Sequence, residues 1–199
     1  MSPRPYKAGE RRLAATEATR TKIVAAARDL LADRSVTALS VDAIAERADV
    51  ARMTVYYQFK SKAKLLEALL DDLAARADMR NMRKVFEERD PGKSLDLLVD
   101  VFCNLWKTQG PLVRRLEAFA TLDETVEVAL RERGGWRREA IARLLERMTP
   151  RRDAADVVDV VHALTSFETY AALCTGRRDH KRVAAVLKET VRAIVRGYR

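Results

Sequence analysis

Residues 41–66, VDAIAERADVARMTVYYQFKSKAKLL, contain two short apolar patterns with helical spacing and a break between them. In the first pattern the apolar residues recur at i, i+3, i+4 and i+7, as on one buried face of a helix: Val41, Ile44, Ala45 and Ala48. The pattern stops at Asp49 and Val50 and resumes with Val55 and Phe59. Because Asp tolerates left-handed backbone angles, Asp49 can form a sharp corner while Val50 packs between the helices. The stretch therefore predicts a helix-turn-helix.

A third helix is expected to complete this small domain. Between residues 16 and 33, four apolar side chains again follow helical spacing: Ile23, Ala27, Leu30 and Leu31. We expect this helix to pack over the helix-turn-helix, so that residues 16–62 form one domain. Ser40 precedes the first helix of the motif and is expected to cap it, whereas Ala51 has no side chain that could cap the second.

The second helix of the motif has a polar outward face. In a helix-turn-helix this helix lies in the major groove of DNA, while the first helix crosses the backbone. With Val55 and Phe59 directed inward, the outward and flanking positions hold hydrogen-bonding or cationic side chains: Arg52, Thr54, Tyr56, Tyr57, Gln58, Lys60 and Lys62. Arg and Gln can bond guanine and adenine edges, a Thr methyl packs on thymine, and Tyr and Lys bind phosphates. The face favours DNA binding; a merely polar surface helix is the alternative, since the motif also occurs without DNA binding.

The basic charge is concentrated towards the beginning of the chain. The 199 residues have a formal net charge of +9. Residues 1–64 contain 13 Lys and Arg against 7 Asp and Glu, whereas the remainder contains 25 against 22. This distribution favours a polyanionic partner for the helix-turn-helix domain. Residues 1–15 predict a disordered basic arm, which either follows a DNA groove or serves as a solubilising tail.

Residues 20–66 resemble the N-terminal domain of TetR-type transcriptional repressors. The resemblance covers about the first third of the chain and is specific in TVYYQFKSKAKLL, residues 54–66, where Tyr, Phe, Lys and Leu have the family's spacing. Three positions depart from the usual pattern, because Ser35 and Asp49 replace glycines and Ala51 replaces a capping Ser or Thr. Ser and Asp are common in turns, and the missing cap is worth about 0.5–2 kcal/mol, so we expect the fold to be retained.

The resemblance implies which side chains contact DNA. Base contacts are implied for four residues of the second helix: Arg52, Met53, Thr54 and Gln58. Phosphate contacts are implied for three more: Tyr56, Tyr57 and Lys62. Arg20 and Thr21 would lie near the DNA backbone, and Ser40 is also included among the candidate DNA contacts. The implied partner is a double-stranded operator with an inverted repeat, bound by a homodimer.

The composition predicts an all-α protein, and the resemblance implies a helical effector-binding and dimerisation domain over residues 63–199. Gly and Pro number only 7 and 5, while 48% of the residues are hydrophobic and 34% charged. Neither a signal-peptide pattern nor an apolar run of roughly 18–20 residues is present, so we expect a cytosolic protein that contacts no membrane. Cys103 and Cys174 lie in apolar helical patterns and are predicted to be reduced core residues rather than a disulfide. Because no metal-binding motif occurs, neither a metal nor a cofactor is expected.

Breaker residues and apolar faces predict how the C-terminal half is divided. Three breaker pairs are each expected to stop a helix: Gly110-Pro111, Gly134-Gly135 and Thr149-Pro150. Ser94 is expected to cap the first of these helices. The last two helices are predicted over residues 157–174 and 183–195, and both have apolar faces wider than one contact requires. We expect the surplus to be buried against a second copy of the chain, in a homodimer.

Aromatic residues and a histidine in the C-terminal half form the candidate effector site. They lie on helices that should converge: Phe102, Trp106, Phe119, Trp136, His162, Phe167 and Tyr170. The TetR-type resemblance implies that such residues line a cavity whose small-molecule occupant changes DNA affinity. Thr165 and Glu168 would add polar groups to a mostly apolar wall, as in many ligand pockets. An ordinary packed core is the alternative interpretation for each residue.

Three classes of function remain to be compared. The first is a dimeric repressor released from its operator by a small, largely apolar ligand, and the second is a constitutive DNA-binding regulator without a ligand. The third is an enzyme within the helical domain. No Ser/His/Asp or Cys/His arrangement has a recognisable spacing and no phosphate loop is present, so we expect no enzyme. The sequence favours the ligand-released repressor.

Overall fold

The structure, a computed structural model, describes residues 6–35, 37–148, 154–174 and 178–198. These residues form ten α-helices and one short 3-10 helix, and no strand is present among them. The α-helices are α1 (Tyr6–Ala32), α2 (Val41–Arg47), α3 (Arg52–Phe59), α4 (Lys62–Arg76), α5 (Met82–Glu87), α6 (Pro91–Ala120), α7 (Glu124–Glu146), α8 (Ala154–Leu164), α9 (Phe167–Leu173) and α10 (His180–Gly197). The 3-10 helix, Met79–Asn81, lies between α4 and α5. The predicted all-α class is confirmed.

The helices form two compact units. The N-terminal unit contains Met1–Asp72 and Arg115–Ala129, and the C-terminal unit contains Leu73–Arg114 and Leu130–Arg199. Helices α4, α6 and α7 therefore each contribute residues to both units. The sequence predicted a single boundary after residue 62, because that is where the helix-turn-helix pattern ends. Periodicity alone cannot indicate that a distant segment packs with the first domain.

The core of the N-terminal unit consists of the apolar faces that spacing predicted for α1, α2 and α3. The residues of these faces are at most 5% exposed: Ile23, Ala27, Leu30, Leu31, Ile44, Val55 and Phe59. Helix α4 adds three further buried side chains: Leu65, Leu66 and Leu69. Burial of apolar surface stabilises such a core by roughly 25 cal/mol per Å² removed from water. The predicted packing of three helices is confirmed.

Helix α1 is longer than the sequence predicted. It begins at Tyr6 rather than near Thr16, so residues 6–15 of the predicted disordered arm are helical. Gly9 lies inside the helix, where one glycine costs only about 1 kcal/mol relative to alanine. The Arg, Leu, Ala and Glu residues that follow are strong helix formers and can offset that cost. Residues 1–5 of the predicted arm lie outside the described residues.

Two predicted helix ends in the C-terminal half are wrong. Helix α6 runs through Gly110 and Pro111, and helix α7 runs through Gly134 and Gly135. Proline removes one helical hydrogen bond and crowds the preceding turn. The apolar face of α6 nevertheless continues beyond it to buried Leu116, and most helical stability comes from burying such a face. The third predicted stop, Thr149-Pro150, lies outside the described residues.

Helix α6 also begins earlier than predicted. Its first residue is Pro91, and Asp90 caps it by accepting a hydrogen bond at Oδ1 from the Lys93 amide, at 2.8 Å. Proline is favoured at the first helical position because the amide it lacks would have had no partner there. Ser94, the predicted cap, is buried inside the helix and donates from Oγ to the Glu88 carbonyl, at 3.2 Å.

The helix predicted over residues 157–174 is divided into α8 and α9. Thr165 and Ser166 separate them, and each side chain bonds the backbone. The Thr165 hydroxyl donates to the Val161 carbonyl at 2.8 Å, while the Ser166 hydroxyl accepts from the Thr169 amide at 3.2 Å. Such side-chain bonds compete with the helical pattern and favour helix ends. Ser166 therefore caps α9 and starts a new helix.

The core of the C-terminal unit is formed mainly by α6, α7, α8 and α10, with buried Leu98, Ile141, Val161 and Val191 among its members. Cys103 is buried in this core and Cys174 is half-buried, and both are free thiols. Burial raises the pKa of Cys103 to about 12, so this thiol stays protonated at neutral pH. Within the described ranges, none of the helices combines the length and apolar character that a membrane crossing needs.

Candidate DNA interface and candidate effector site

The turn between α2 and α3 has the geometry that the sequence predicted. Ser40 caps α2 by accepting a hydrogen bond from the Ala43 amide at 3.1 Å. Asp49 has a φ of 48°, a left-handed angle that non-glycine residues adopt mainly in tight turns. Ala51 provides no side-chain cap for α3. The corner that sets α3 against α2 is therefore formed by Asp49, without a glycine.

Helix α3 has one buried and one exposed face. Val55 and Phe59 are each 2% exposed, whereas Met53 and Tyr57 are each 72% exposed. Arg52 is also exposed, and three candidate contacts are partly buried at the edges of the helix: Thr54, Tyr56 and Gln58. Met53 and Tyr57 therefore present much of their apolar surface on the outward face of α3, where a partner could cover it.

The Arg52 side chain is held by two partners on the surface of the motif. Its Nη1 donates to both carboxylate oxygens of Asp42 on α2, at 2.9 Å each, and its Nη2 lies 3.4 Å from the Tyr56 hydroxyl. The hydrogen bond that Arg52 donates to Tyr56 and the charge of Asp42 raise the pKa of Arg52, so it is always charged. Sequence analysis did not identify Asp42 as part of this site, although its position in the first turn of α2 was a signal.

Arg20 supports α3 from α1. Its Nη1 donates to the Gln58 carbonyl at 3.1 Å, and its guanidinium lies 4.3 Å from the centroid of the Phe59 ring. This contact orients the C-terminal end of α3. Thr21, the next residue, is exposed beside it, whereas Lys22 donates to the Asp49 carbonyl at 3.4 Å.

Lys62 forms an ion pair within the N-terminal unit. Its ammonium donates to Asp123, which precedes α7, and both side chains are largely buried. Although burial opposes it, the hydrogen bond and charge of Lys62 lower the pKa of Asp123. The same carboxylate accepts a hydrogen bond from the Thr125 amide at 3.1 Å, as a helix cap does. Asp123 therefore competes for Lys62 with any DNA phosphate.

Three of the predicted effector residues come together in the C-terminal unit. The rings of Phe102 and Trp106 are stacked with centroids 6.4 Å apart, and those of Trp106 and Phe167 are 5.8 Å apart. The Trp106 indole donates from Nε1 to the Thr165 carbonyl at 2.9 Å, which fixes its orientation. These rings, Phe102, Trp106 and Phe167, are called the aromatic cluster below.

Four predicted effector residues lie outside the aromatic cluster. His162 contacts the Gly134 carbonyl through Nε2 at 3.1 Å, and burial lowers its pKa. The Tyr170 hydroxyl lies 3.2 Å from Nδ1 of His180. Trp136 is 62% exposed on α7. Phe119 belongs to the N-terminal unit, where Arg115 lies over its ring.

Arg137 adjoins the aromatic cluster and was not identified from the sequence. Its Nη1 donates to the His162 carbonyl at 2.7 Å and to the Thr165 hydroxyl at 3.1 Å. Its guanidinium lies 5.7 Å from the centroid of the Phe102 ring, a cation–π distance. In the sequence Arg137 is one of several charges on a polar helix, and nothing in that pattern distinguishes it from exposed Arg138.

Comparison with known proteins supports the assignment of α2 and α3 to a helix-turn-helix domain. Residues 23–69 match the model of the family described as bacterial regulatory proteins, tetR family. No curated protein matches the chain. A transcriptional regulator from Rhodococcus sp. Rha1 superimposes with a TM-score of 0.65 at 18% identity, over 89% of this chain and 96% of that one.

Two further structures are similar. NalD, the secondary repressor of the MexAB-OprM multidrug efflux pump in Pseudomonas aeruginosa, has a TM-score of 0.65 at 22% identity, over 90% of this chain and 96% of its own. A TetR-family regulator from Streptomyces coelicolor has a TM-score of 0.60 at 22% identity, over 91% and 99%. At these identities the likeness establishes the fold.

The helix-turn-helix of α2 and α3, with the family match over residues 23–69, supports a DNA-binding regulator. The domain at residues 23–69 is of the tetR family, and the chain has the fold of TetR-family transcriptional regulators. The resemblance inferred from residues 20–66 is confirmed.

Proposed function

We propose that the protein is a dimeric repressor that binds an inverted-repeat operator through α3 and is released by a small, largely apolar effector. The observation that most strongly supports sequence recognition by α3 is its exposed face, where Met53 and Tyr57 are each 72% exposed. A folded domain gains nothing from exposing these side chains, whereas a major groove offers thymine methyls and phosphates to them. Because the proposed partner is chromosomal DNA, the proposed compartment is the cytoplasm.

Base and phosphate contacts are proposed to be divided along the motif. The outward residues of α3 are proposed to contact base edges: Arg52, Met53, Thr54 and Gln58. Tyr56 and Tyr57 are proposed to bind phosphates, together with Lys62 once it has left Asp123. Ser40 lies at the start of α2 and Thr21 is exposed on α1, and a hydroxyl at either position can also bond a phosphate. Arg20 is proposed to act mainly by orienting α3, since its guanidinium is engaged by Gln58 and Phe59.

Dimerisation is proposed to occur through the helices at the end of the chain. Val160 on α8 is 38% exposed, and three apolar neighbours on α8 and α10 are only partly buried: Leu164, Val186 and Ile194. Helix α8 packs with α10, so this apolar surface belongs to two adjacent helices. Burying it against a second copy around a two-fold axis would give a four-helix bundle.

Release by an effector is proposed to act through the ion pair of Lys62 and Asp123. Asp123 lies between α6 and α7, and both helices also contribute residues to the C-terminal unit that contains the aromatic cluster. An effector that favours a different position of Asp123 would change where Lys62 and α4 lie. By linkage, DNA would then weaken effector binding by the same factor, typically about 5–150-fold.

The test is a fluorescence anisotropy titration with the DNA upstream of the protein's own coding region. We expect two chains to bind an inverted repeat there more tightly than a scrambled duplex of equal length and salt concentration. Ligands found by thermal shift should then lower operator affinity. A ligand that binds without changing operator affinity would reject the effector-released function and leave a constitutive regulator.

A further inference from the structure

We propose that the aromatic cluster binds the ring of an aromatic effector whose anionic group, such as a carboxylate, is held by Arg137. The proposal rests on the effector-released function proposed above and specifies the chemical class of the effector. Two polar side chains beside the rings, those of Arg137 and Gln109, support it.

Arg137 has unused hydrogen-bond donors. Its Nη1 donates to the His162 carbonyl at 2.7 Å and to the Thr165 hydroxyl at 3.1 Å. Among the residues that the structure describes, its Nε and Nη2 donate no hydrogen bond, and the charge of one carboxylate, that of Glu168, acts on the guanidinium. A guanidinium presents its donors as a planar fork that matches a carboxylate. The remaining donors of Arg137 can therefore bind an anion.

The environment of Arg137 strengthens its attraction for an anion. Burial lowers the pKa of Arg137 to about 10, with the charge of Glu168 opposing the shift. The shift means that the cation is poorly hydrated, and charges interact more strongly where water is excluded. The guanidinium lies 5.7 Å from the centroid of the Phe102 ring, so a bound anion would lie at the edge of the aromatic cluster.

Gln109 is the second polar group. It lies seven residues after Phe102 on α6, hence on the same face, and is only 8% exposed. A Cβ on the adjacent Gly110 would lie 2.7 Å from Cε2 of Phe167, so α6 contacts the aromatic cluster next to Gln109. The Gln109 side chain therefore places an amide, which can both donate and accept hydrogen bonds, where a polar group of a bound ligand could contact it.

The guanidinium groups around the rings disfavour a cationic ligand. Arg137 lies over Phe102, and the guanidinium of Arg114 lies 5.3 Å from the centroid of Phe167. Two cations at the two ends of the aromatic cluster repel a cationic ligand. Trp106, between them, is half-buried, so part of its ring is available for stacking. The combination selects an aromatic anion over a neutral or cationic analogue.

The experiment uses matched pairs of aromatic carboxylates and their primary amides: benzoate, 2-naphthoate and biphenyl-4-carboxylate with benzamide, 2-naphthamide and biphenyl-4-carboxamide. Because the chain has 2 Trp, the variant Trp136→Phe leaves Trp106 as the sole tryptophan, and its fluorescence reports binding. We expect at least one carboxylate to bind ten or more times more tightly than its amide. Arg137→Gln should remove this preference, whereas the neighbouring exposed control Arg138→Gln should retain it.

Several outcomes distinguish this inference from the function on which it rests. Equal affinity for carboxylate and amide in all three pairs, or a preference that survives Arg137→Gln, would overturn the inference. Arg137→Lys keeps the charge without the fork and should lower the preference several-fold; it replaces the Gln variant if circular dichroism shows that variant to be unfolded. Binding through Arg137 that leaves operator affinity unchanged supports the site but rejects the effector-released function. Release of operator DNA by a ligand whose affinity is the same for the wild-type protein and Arg137→Gln would support the effector-released function and overturn this inference.

Discussion

Arg52 and Asp42 form an ion pair on the surface proposed to face DNA. Both side chains are more than half exposed, at 56% and 64%. Exposed pairs contribute little to stability because water screens them. Arg52 can therefore exchange Asp42 for a guanine edge at small cost, while Asp42 places a negative charge where phosphates would approach.

Replacing Arg52 by Ala should reduce discrimination at one base pair per half-site. A bidentate contact with guanine is worth about 1–3 kcal/mol, so preference at that position should fall roughly 5- to 150-fold. The comparison variant is Lys60→Ala, which should weaken binding to every sequence and lower the salt dependence. Anisotropy titrations with operator and with random DNA measure the affinity of each variant for both kinds of sequence. An equal loss on both DNAs for Arg52→Ala would show that Arg52 contacts phosphate.

Replacing Asp42 by Asn should strengthen binding to all DNA. The change removes one negative charge near the phosphates, which should raise affinity for every sequence, and it frees Arg52 for its base contact, which should raise affinity for the operator further. The specificity ratio should therefore rise. The control is Asp33→Asn, which removes a carboxylate paired with Arg47. If Asp42→Asn lowers the specificity ratio instead, the carboxylate does not act as a competitor for Arg52.

The outward positions of α3 were predictable from the sequence, because they follow once Val55 and Phe59 are directed inward. The role of Asp42 was not, because its partner is set by how α2 and α3 cross. The same limit explains why Arg137 was missed and why exposed Trp136 was included with Trp106. Residue type and spacing indicate which side chains are large and apolar, whereas packing decides which of them meet.

At the scale of helices, burial outweighs local breaker signals. Gly110 and Pro111 predicted a helix end, yet α6 continues because its apolar face extends to Leu116. Where hydroxyl side chains bond the backbone, the opposite happens, and Ser166 begins a new helix in an otherwise apolar pattern. Helix existence was thus predicted better than helix length.

Gly110 and Gly134 should respond oppositely to alanine. A Cβ on Gly110 would lie 2.7 Å from Cε2 of Phe167, whereas one on Gly134 would meet no atom within 4 Å. Gly110→Ala should destabilise the fold by about 1–3 kcal/mol through overpacking. Gly134→Ala should stabilise it by up to about 1 kcal/mol, because alanine favours a helix. Urea unfolding measures both. Similar changes for the two variants would contradict the packing of Phe167 on α6.

At the scale of the whole molecule, the apolar surface around Val160 is expected to be the dimer contact. Val160→Glu leaves a 38% exposed side chain at the surface of one chain, so that chain should fold, but the charge would be buried without a partner in a dimer. Light scattering after gel filtration should show a monomer. The control is Leu122→Glu, at a residue 87% exposed in the N-terminal unit, which should remain a dimer. A monomeric wild-type protein at micromolar concentration would contradict the proposal.

The central claim is that two copies of α3 read DNA sequence. Selection of bound duplexes from a random double-stranded pool tests it most directly. We predict enrichment of an inverted repeat whose half-sites are about 34–36 Å apart, or a multiple of that distance, because two recognition helices must enter major grooves on one face of the duplex. The double variant Arg52→Ala with Tyr57→Ala should lose that enrichment while remaining folded. Selection that enriches no sequence, or the same repeat for the double variant, would contradict the account.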